Sequence, residues 1–309
     1  MRISHRMKKQ SRLLPILLIA LGALGIANAQ TVNWQPPAPR KAKTIFAPKP
    51  FGGNNIFKGE AEIWLSDALE ELEGGVISEL KDQAISSYVS QLGTNLGLYS
   101  PKPHRTFTFV VTSSDVPDAM TSGAGRIYVS LGLLKLIQSE DELAGIIAHE
   151  ITHDVFAHIP KTFTRQLFWM NGTKKVTGPV DVRKNLERLL QEYEKKPMAS
   201  LGEQLLGFSR FDELAADRGA FYITFKAGYN PMGLAKALKR YDAVQKDENS
   251  KMDYRFFQLY SFFLGGHPPT GQRTMALEWE SNFVSMPPAN SCYKSEAFDE
   301  MKKRIELLN

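Results

Sequence analysis

The segment His149-Glu150-Ile151-Thr152-His153 carries two histidines four residues apart, with a glutamate directly after the first. On an α-helix, side chains at i and i+4 share one face with Cβ atoms about 5–6 Å apart, so two imidazoles can converge on one ion at about 2.0–2.1 Å. Glu150 is rotated by about 100° from that line, where its carboxylate can take a proton from water acidified by the ion. These residue types at this spacing point to zinc-assisted hydrolysis.

A helix must hold them. Ser139 and Glu142 have the spacing of a capping box, Glu140 and Asp141 complement the positive helix end, and Leu143, Ile147, Ile151 and Val155 recur every fourth residue. With Pro160 as the stop, the pattern predicts a helix over about 140–159, its apolar stripe and its histidine edge on different faces.

A zinc ion that keeps one position open for water needs a third protein ligand. A histidine six residues past His153 is one solution, but that position is Ile159, and His158 comes one residue early. His158 reads as packing or as a support for a ligand. Downstream, Glu213 and Asp217 are again i and i+4, on a helix ending at Gly228 before Pro231. One carboxylate can bind zinc while the other holds a histidine. The small Ala215 and Ala216 between them permit close helix packing, which favours Glu213 as the ligand.

The rest of the chain sets the context. Arg2, Arg6, Lys8, Lys9 and Arg12 precede an apolar run over 13–26, and Ala27-Asn28-Ala29 offers small residues for signal cleavage before Gln30. The expectation is a secretory signal over 1–29, with a retained anchor as the alternative. Without those five basic residues the balance is 38 − 5 = 33 basic against 33 acidic, a neutral chain with no block for nucleic acid. Cys292 is the single cysteine, so no internal disulfide forms. The 309 − 29 = 280 remaining residues are enough for a packed core.

Residues 30–55, with five prolines at 36, 37, 39, 48 and 50 and a Gly52-Gly53 pair, read as an extended linker. A compact domain is expected from 56 to 275 and an extension with a terminal helix over 276–309. Helical patterns cover about 60–73 and 76–97, β runs cover 106–111 and 126–130, and the chain after the histidine helix reads as almost wholly helical. Within 161–208, Leu167-Phe168-Trp169-Met170 reads as core packing, or else as a lid or membrane-touching patch.

With two further blocks, 119–134 around Arg126-Ile127-Tyr128-Val129 and His267-Pro268-Pro269-Thr270-Gly271-Gln272-Arg273, the chain resembles the HtpX and CAAX-prenyl-protease family of zinc metallopeptidases. The likeness is to its soluble envelope branch especially, with BepA-like and Oma-like members, and runs over about 61–273. It implies an α+β fold, a mostly helical zincin of gluzincin type with a small sheet whose edge strand lines the active-site cleft. It implies one Zn2+ per chain held by His149, His153 and Glu213, with Glu150 as general base and Asp217 supporting a ligand histidine. His267 is implied near the substrate carbonyl oxygen, as an oxyanion donor or as an occupant of the open metal position at rest, with Arg273 in support. Arg126, Ile127, Tyr128 and Val129 are implied as the edge strand that pairs with extended substrate, which makes unfolded polypeptide the natural partner.

Some positions depart from the family pattern. Asp118 stands where asparagine is frequent, and Gly123-Ala124-Gly125 where proline-glycine-glycine is usual, which bears on the substrate edge rather than the metal. The tetratricopeptide tail of BepA-like members has no counterpart in the roughly 35 residues after Arg273. The resulting expectation is a periplasmic zinc endopeptidase that cuts misfolded or unassembled proteins, with contacts to the membrane or to outer-membrane assembly left open. The alternative is a zinc-stabilised chaperone with little proteolysis.

Overall fold

The structure, a computed structural model, describes residues 34–40, 47–50, 52–72, 78–194, 208–246, 270–288 and 291–308. The expected signal over 1–29, His267, and parts of the 30–55 and 161–208 segments lie outside the described residues.

The chain enters with α1 (Glu60–Leu72) and α2 (Gln83–Leu98), then strands β1 (Thr108–Thr112), β2 (Ala119–Gly123) and β3 (Arg126–Ser130). Among the described residues the helices that follow are α3 (Leu131–Leu136), α4 (Glu140–Val155), α5 (His158–Asn171), α6 (Pro179–Glu194), α7 (Arg210–Ala227) and α8 (Gly233–Lys246). Then come α9 (Thr270–Ser281) and α10 (Glu296–Glu306). The α+β reading holds: helices dominate around one small mixed sheet.

α2 starts later than its apolar pattern, because Asp82 caps it by accepting from Ala84 and Ile85 N–H at 3.1 Å. The preceding residues are extended instead, with Glu79 bridged to Thr112.

The sheet order is β1-β3-β2, with β3 parallel to β1 and antiparallel to β2. This corrects the expected edge strand. Arg126, Ile127, Tyr128 and Val129 lie on the central strand, whose backbone is paired on both sides, so β3 has no edge to offer a substrate. The edge facing α4 is β2, which the sequence hid because Ala-Met-Thr-Ser-Gly lacks the β-branched and aromatic density of a strand. Ile127 and Val129 are fully buried in the main core. On the other face Arg126 pairs with Asp67 at 2.7 Å and Glu70 at 3.1 Å, and Tyr128 donates to Glu70 at 2.5 Å, all against α1.

Two apolar cores divide the chain. The larger gathers α2, the sheet, α4, α7, α8 and α10 around Leu143, Ile147 and Ile151, each fully buried and worth about 1.5–3 kcal/mol. The smaller joins Leu65 and Leu69 of α1, Phe163 and Leu167 of α5, and Leu186 and Leu189 of α6. In the 167–170 stretch the core-packing reading holds for Leu167, whereas Phe168 and Trp169 are exposed.

α4 is buried around its circumference rather than along one stripe. It also stops short of its predicted end. Phe156 caps it, Ala157 turns into the left-handed region at φ 55°, and a new helix starts at His158. Pro160 therefore sits in the first turn of α5, where its missing N–H costs nothing.

Residues 34–40 have no regular secondary structure, in keeping with their prolines, but they are docked rather than free. Arg40 N–H donates to Lys226 O at 3.1 Å, and Arg40 Nη1 to Tyr229 O at 2.9 Å.

Candidate metal centre

A polar residue on a helix buried all round must find partners. The acidic first turn of α4 does so. Glu140, fully buried, accepts from Trp34 Nε1 at 3.0 Å, Tyr88 OH at 3.1 Å and Tyr229 OH at 2.8 Å, and from the Ser295 hydroxyl. Asp141 accepts from the backbone N–H of Asn230 at 2.8 Å and Tyr293 at 2.7 Å. Glu142 takes both Arg240 donors at 3.1 Å and reaches back to Gln138 N–H at 3.1 Å, while Ser139 Oγ caps Glu142 N–H at 3.2 Å. So the capping residues are those the spacing marks, but the glutamate closes on Gln138 instead of on Ser139.

With its start anchored, α4 carries His149 and His153 toward α7, its most extensive packing partner. Ala215 and Ala216 are buried in that contact, and Gly219 comes closer still: a Cβ there would lie 2.3 Å from Thr152 Cγ2 and Oγ1. This approach brings Glu213 to the histidines. His149 Nε2 and His153 Nε2 are 2.9 Å apart, and Glu213 stands 3.6 Å from the first and 3.5 Å from the second. Donor atoms around one tetrahedral ion, each about 2.0–2.1 Å from it, are separated by about 3.3 Å. Two imidazole nitrogens and a carboxylate, all buried, fit a zinc-sized cation in spacing and in chemistry.

The supporting residues are equally specific. His149 Nδ1 lies 3.0 Å from Asp217 Oδ1, and Arg273 clamps that carboxylate from Nε at 2.8 Å and Nη2 at 2.6 Å. Arg273 Nη1 also stands 3.4 Å from Glu213. Arg273 is thus a buried partner of Asp217, and its expected partner His267 lies outside the described residues. Burial pushes the Asp217 carboxyl up, but the charge and hydrogen bonds of Arg273, with those of His149, outweigh it and hold the group well below the usual carboxylate range. Burial, reinforced by Arg273, pushes His149 down and keeps its imidazole neutral, the form that binds metal. Glu150 is buried on the same helix, and its charge is among those that keep Arg273 protonated.

Of the neighbours, sequence reasoning reads only His158, as packing or as a support for a ligand, and gives Phe208, Asp154 and Arg105 no role. His158, the first residue of α5, lies with Nδ1 3.0 Å from His153 Nδ1, and burial pushes it down to about 4. Phe208 covers His153, ring centroids 3.9 Å apart. Asp154 and Arg105 tie the end of α4 to the β2–β3 turn. The only sequence signal for these was an extra histidine and aspartate beside the motif.

Residues 79–281, more than half of the chain, match Peptidase family M48. The chain belongs to family M48. That family is one of peptidases. Among its relatives are the beta-barrel assembly-enhancing protease of Yersinia pestis, 21% identical over 52% of this chain and 33% of that protein, and the mitochondrial metalloendopeptidase OMA1 of Schizosaccharomyces pombe, 23% identical over 71% and 61%. A protease HtpX homolog of Acidiphilium cryptum is 29% identical over 51% of this chain and 55% of that protein. This M48 chain therefore spans about a third of the length of the beta-barrel assembly-enhancing proteases it matches. No helix among its described residues is long and apolar enough to cross a membrane.

Proposed function

We propose that the chain is a zinc-dependent endopeptidase of the bacterial cell envelope, acting in the periplasm on misfolded or unassembled polypeptides. The observation that carries this reading is the convergence of His149, His153 and Glu213 within one buried pocket of donor atoms, beside Glu150. Zinc would be held by those three, and when bound it supplies Lewis acidity toward water and a scissile carbonyl. Glu150 takes the proton of the attacking water and passes it to the leaving amine. Asp217, neutralised by Arg273, fixes the ring of His149 by accepting its Nδ1–H. His267 is proposed as the oxyanion donor.

The substrate strand is proposed to add to β2, the edge on the α4 side of the sheet, in place of β3. The basic n-region and apolar run over 1–26 support export, and the printed name of the Yersinia pestis relative supports clients in β-barrel assembly.

The test is direct. The purified chain should carry about one zinc and cleave casein, and both properties should be lost in chelator. Glu150→Gln should keep the zinc and stop cleavage. Full cleavage by Glu150→Gln would overturn the peptidase reading, and equal client protection by both proteins without any cleavage would replace it with a chaperone.

A further inference from the structure

We propose that His158, steadied by Asp212, is a positioning residue that orients His153 for metal binding, so that the two imidazole ligands are held by unlike partners. The inference rests on the reading of His149, His153 and Glu213 as ligands.

The Nε2 atom of His153 faces His149 Nε2 at 2.9 Å and Glu213 Oε1 at 3.5 Å, which makes it the metal-side nitrogen. A neutral imidazole that offers the lone pair of Nε2 carries its proton on Nδ1 and must donate it. His153 is fully buried, and its Nδ1 lies 3.0 Å from His158 Nδ1. His158 can accept there only if its own proton is on Nε2; that nitrogen makes no hydrogen bond among the described residues, and Asp212 Oδ1, 3.5 Å away, puts a carboxylate rather than a positive group on its N–H side. The rings meet edge to face, 82° apart with centroids separated by 4.8 Å, and His158 is itself buried, so protein rather than solvent supplies the acceptor.

The backbone is bent to make this contact. In a continued helix, position 158 would lie about 140° around the axis from 153. Instead Ala157 occupies the left-handed region at φ 55°, a conformation that non-glycine residues rarely hold without a local reason, and His158 restarts the chain behind His153. Asp212 is equally constrained: it closes the capping box of α7 with Ser209 and immediately precedes Glu213. One helix start therefore positions both the carboxylate ligand and the brace of the second histidine.

The experiment measures zinc affinity by chelator competition, the visible spectrum of the cobalt-substituted protein and the thermal midpoint of the metal-free protein. His158→Phe fills the space without an acceptor, and His158→Asn sets an amide oxygen near the place of Nδ1. His158→Phe should weaken zinc binding by about 10–100-fold, the range for losing such a partner, and change the cobalt spectrum. His158→Asn should restore most of the affinity at a similar metal-free midpoint. Asp212→Asn, which preserves the cap, should fall between wild type and His158→Phe. If His158→Phe does not fold, Asp212→Asn decides, and unchanged affinity there overturns the proposal. So would affinity within twofold of wild type in His158→Phe, or equal weakening in His158→Phe and His158→Asn. A wild-type chain that binds no zinc overturns the ligand reading together with this one, whereas a chain that binds zinc but cleaves nothing overturns only the peptidase reading.

Discussion

Asp154 Oδ2 accepts a hydrogen bond from Gly125 N–H at 2.7 Å, tying the last turn of α4 to the turn between β2 and β3. Arg105 joins the same carboxylate to Glu62, which it meets at 2.7 Å, and Glu62 accepts from Ala124 N–H at 3.2 Å. That turn has Gly123, Ala124 and Gly125 all at positive φ, and for Ala124 this costs about 1–3 kcal/mol. Two carboxylates bridged by one guanidinium hold it in place.

Asp154→Asn should therefore loosen the edge strand while leaving the proposed metal ligands His149, His153 and Glu213 in position. The expected result is a destabilisation of about 1–3 kcal/mol from the weakened buried acceptor, retained zinc, and a KM for unfolded polypeptide that rises more than kcat falls. Thermal unfolding, metal analysis and steady-state kinetics check it. Lost zinc with an unchanged KM would assign Asp154 to the metal site instead.

Gly219→Ala tests the helix crossing. The added methyl would meet the Thr152 side chain at 2.3 Å, and Thr152 cannot yield because it is buried and its hydroxyl donates to Ala148 O at 2.8 Å. Overpacking of this kind costs about 1–3 kcal/mol. Because the crossing sets the separation of Glu213 from the two histidines, zinc affinity should fall with stability, read by chelator competition and a melt. Normal affinity would mean that α7 adjusts around its N-terminal turn.

Tyr229→Phe removes one of the donors around the fully buried Glu140. The loss should lower stability by about 1–3 kcal/mol in denaturant titration, with little effect on zinc content, since the group sits at the far end of α4. A loss of zinc in the folded variant would show that the anchor of α4 also sets ligand geometry.

Asp141 gives a pH signature. Burial pushes its carboxyl above the ordinary value, partly opposed by the N–H donors of Tyr293 and Asn230. A raised folded-state pKa means that the folded chain binds more protons than the unfolded one between the two values, so this group's contribution to stability falls as pH rises through that window. Asp141→Asn lacks the titration. The stability of the variant minus that of wild type should grow more favourable from below the unfolded carboxylate range to neutral pH, measured by paired melts. A flat difference would refute it.

Local patterns made much of this protein legible in advance. The spacing of His149 and His153, the cap at Ser139 and the i, i+4 pair Glu213 and Asp217 are features of single helices, whose period is written in neighbouring residues. The β-branched and aromatic run at 126–130 likewise marked β3 at its correct limits. Strand order was not legible, because pairing depends on which backbone edges meet, and β2 has too little propensity of its own to announce itself. Nor was the break at Ala157: an apolar period continues on paper, whereas in space the chain turns there into the left-handed region and sets His158 against the buried His153. Arg273 on Asp217, Arg105 on Asp154 and Trp34 on Glu140 were illegible for a simpler reason, since each joins a buried carboxylate to a donor far away in sequence. Sequence periodicity determined which helices carry His149, His153, Glu213 and Asp217; the need of buried polar groups for partners, met by residues distant in sequence, decided how those helices close on one another.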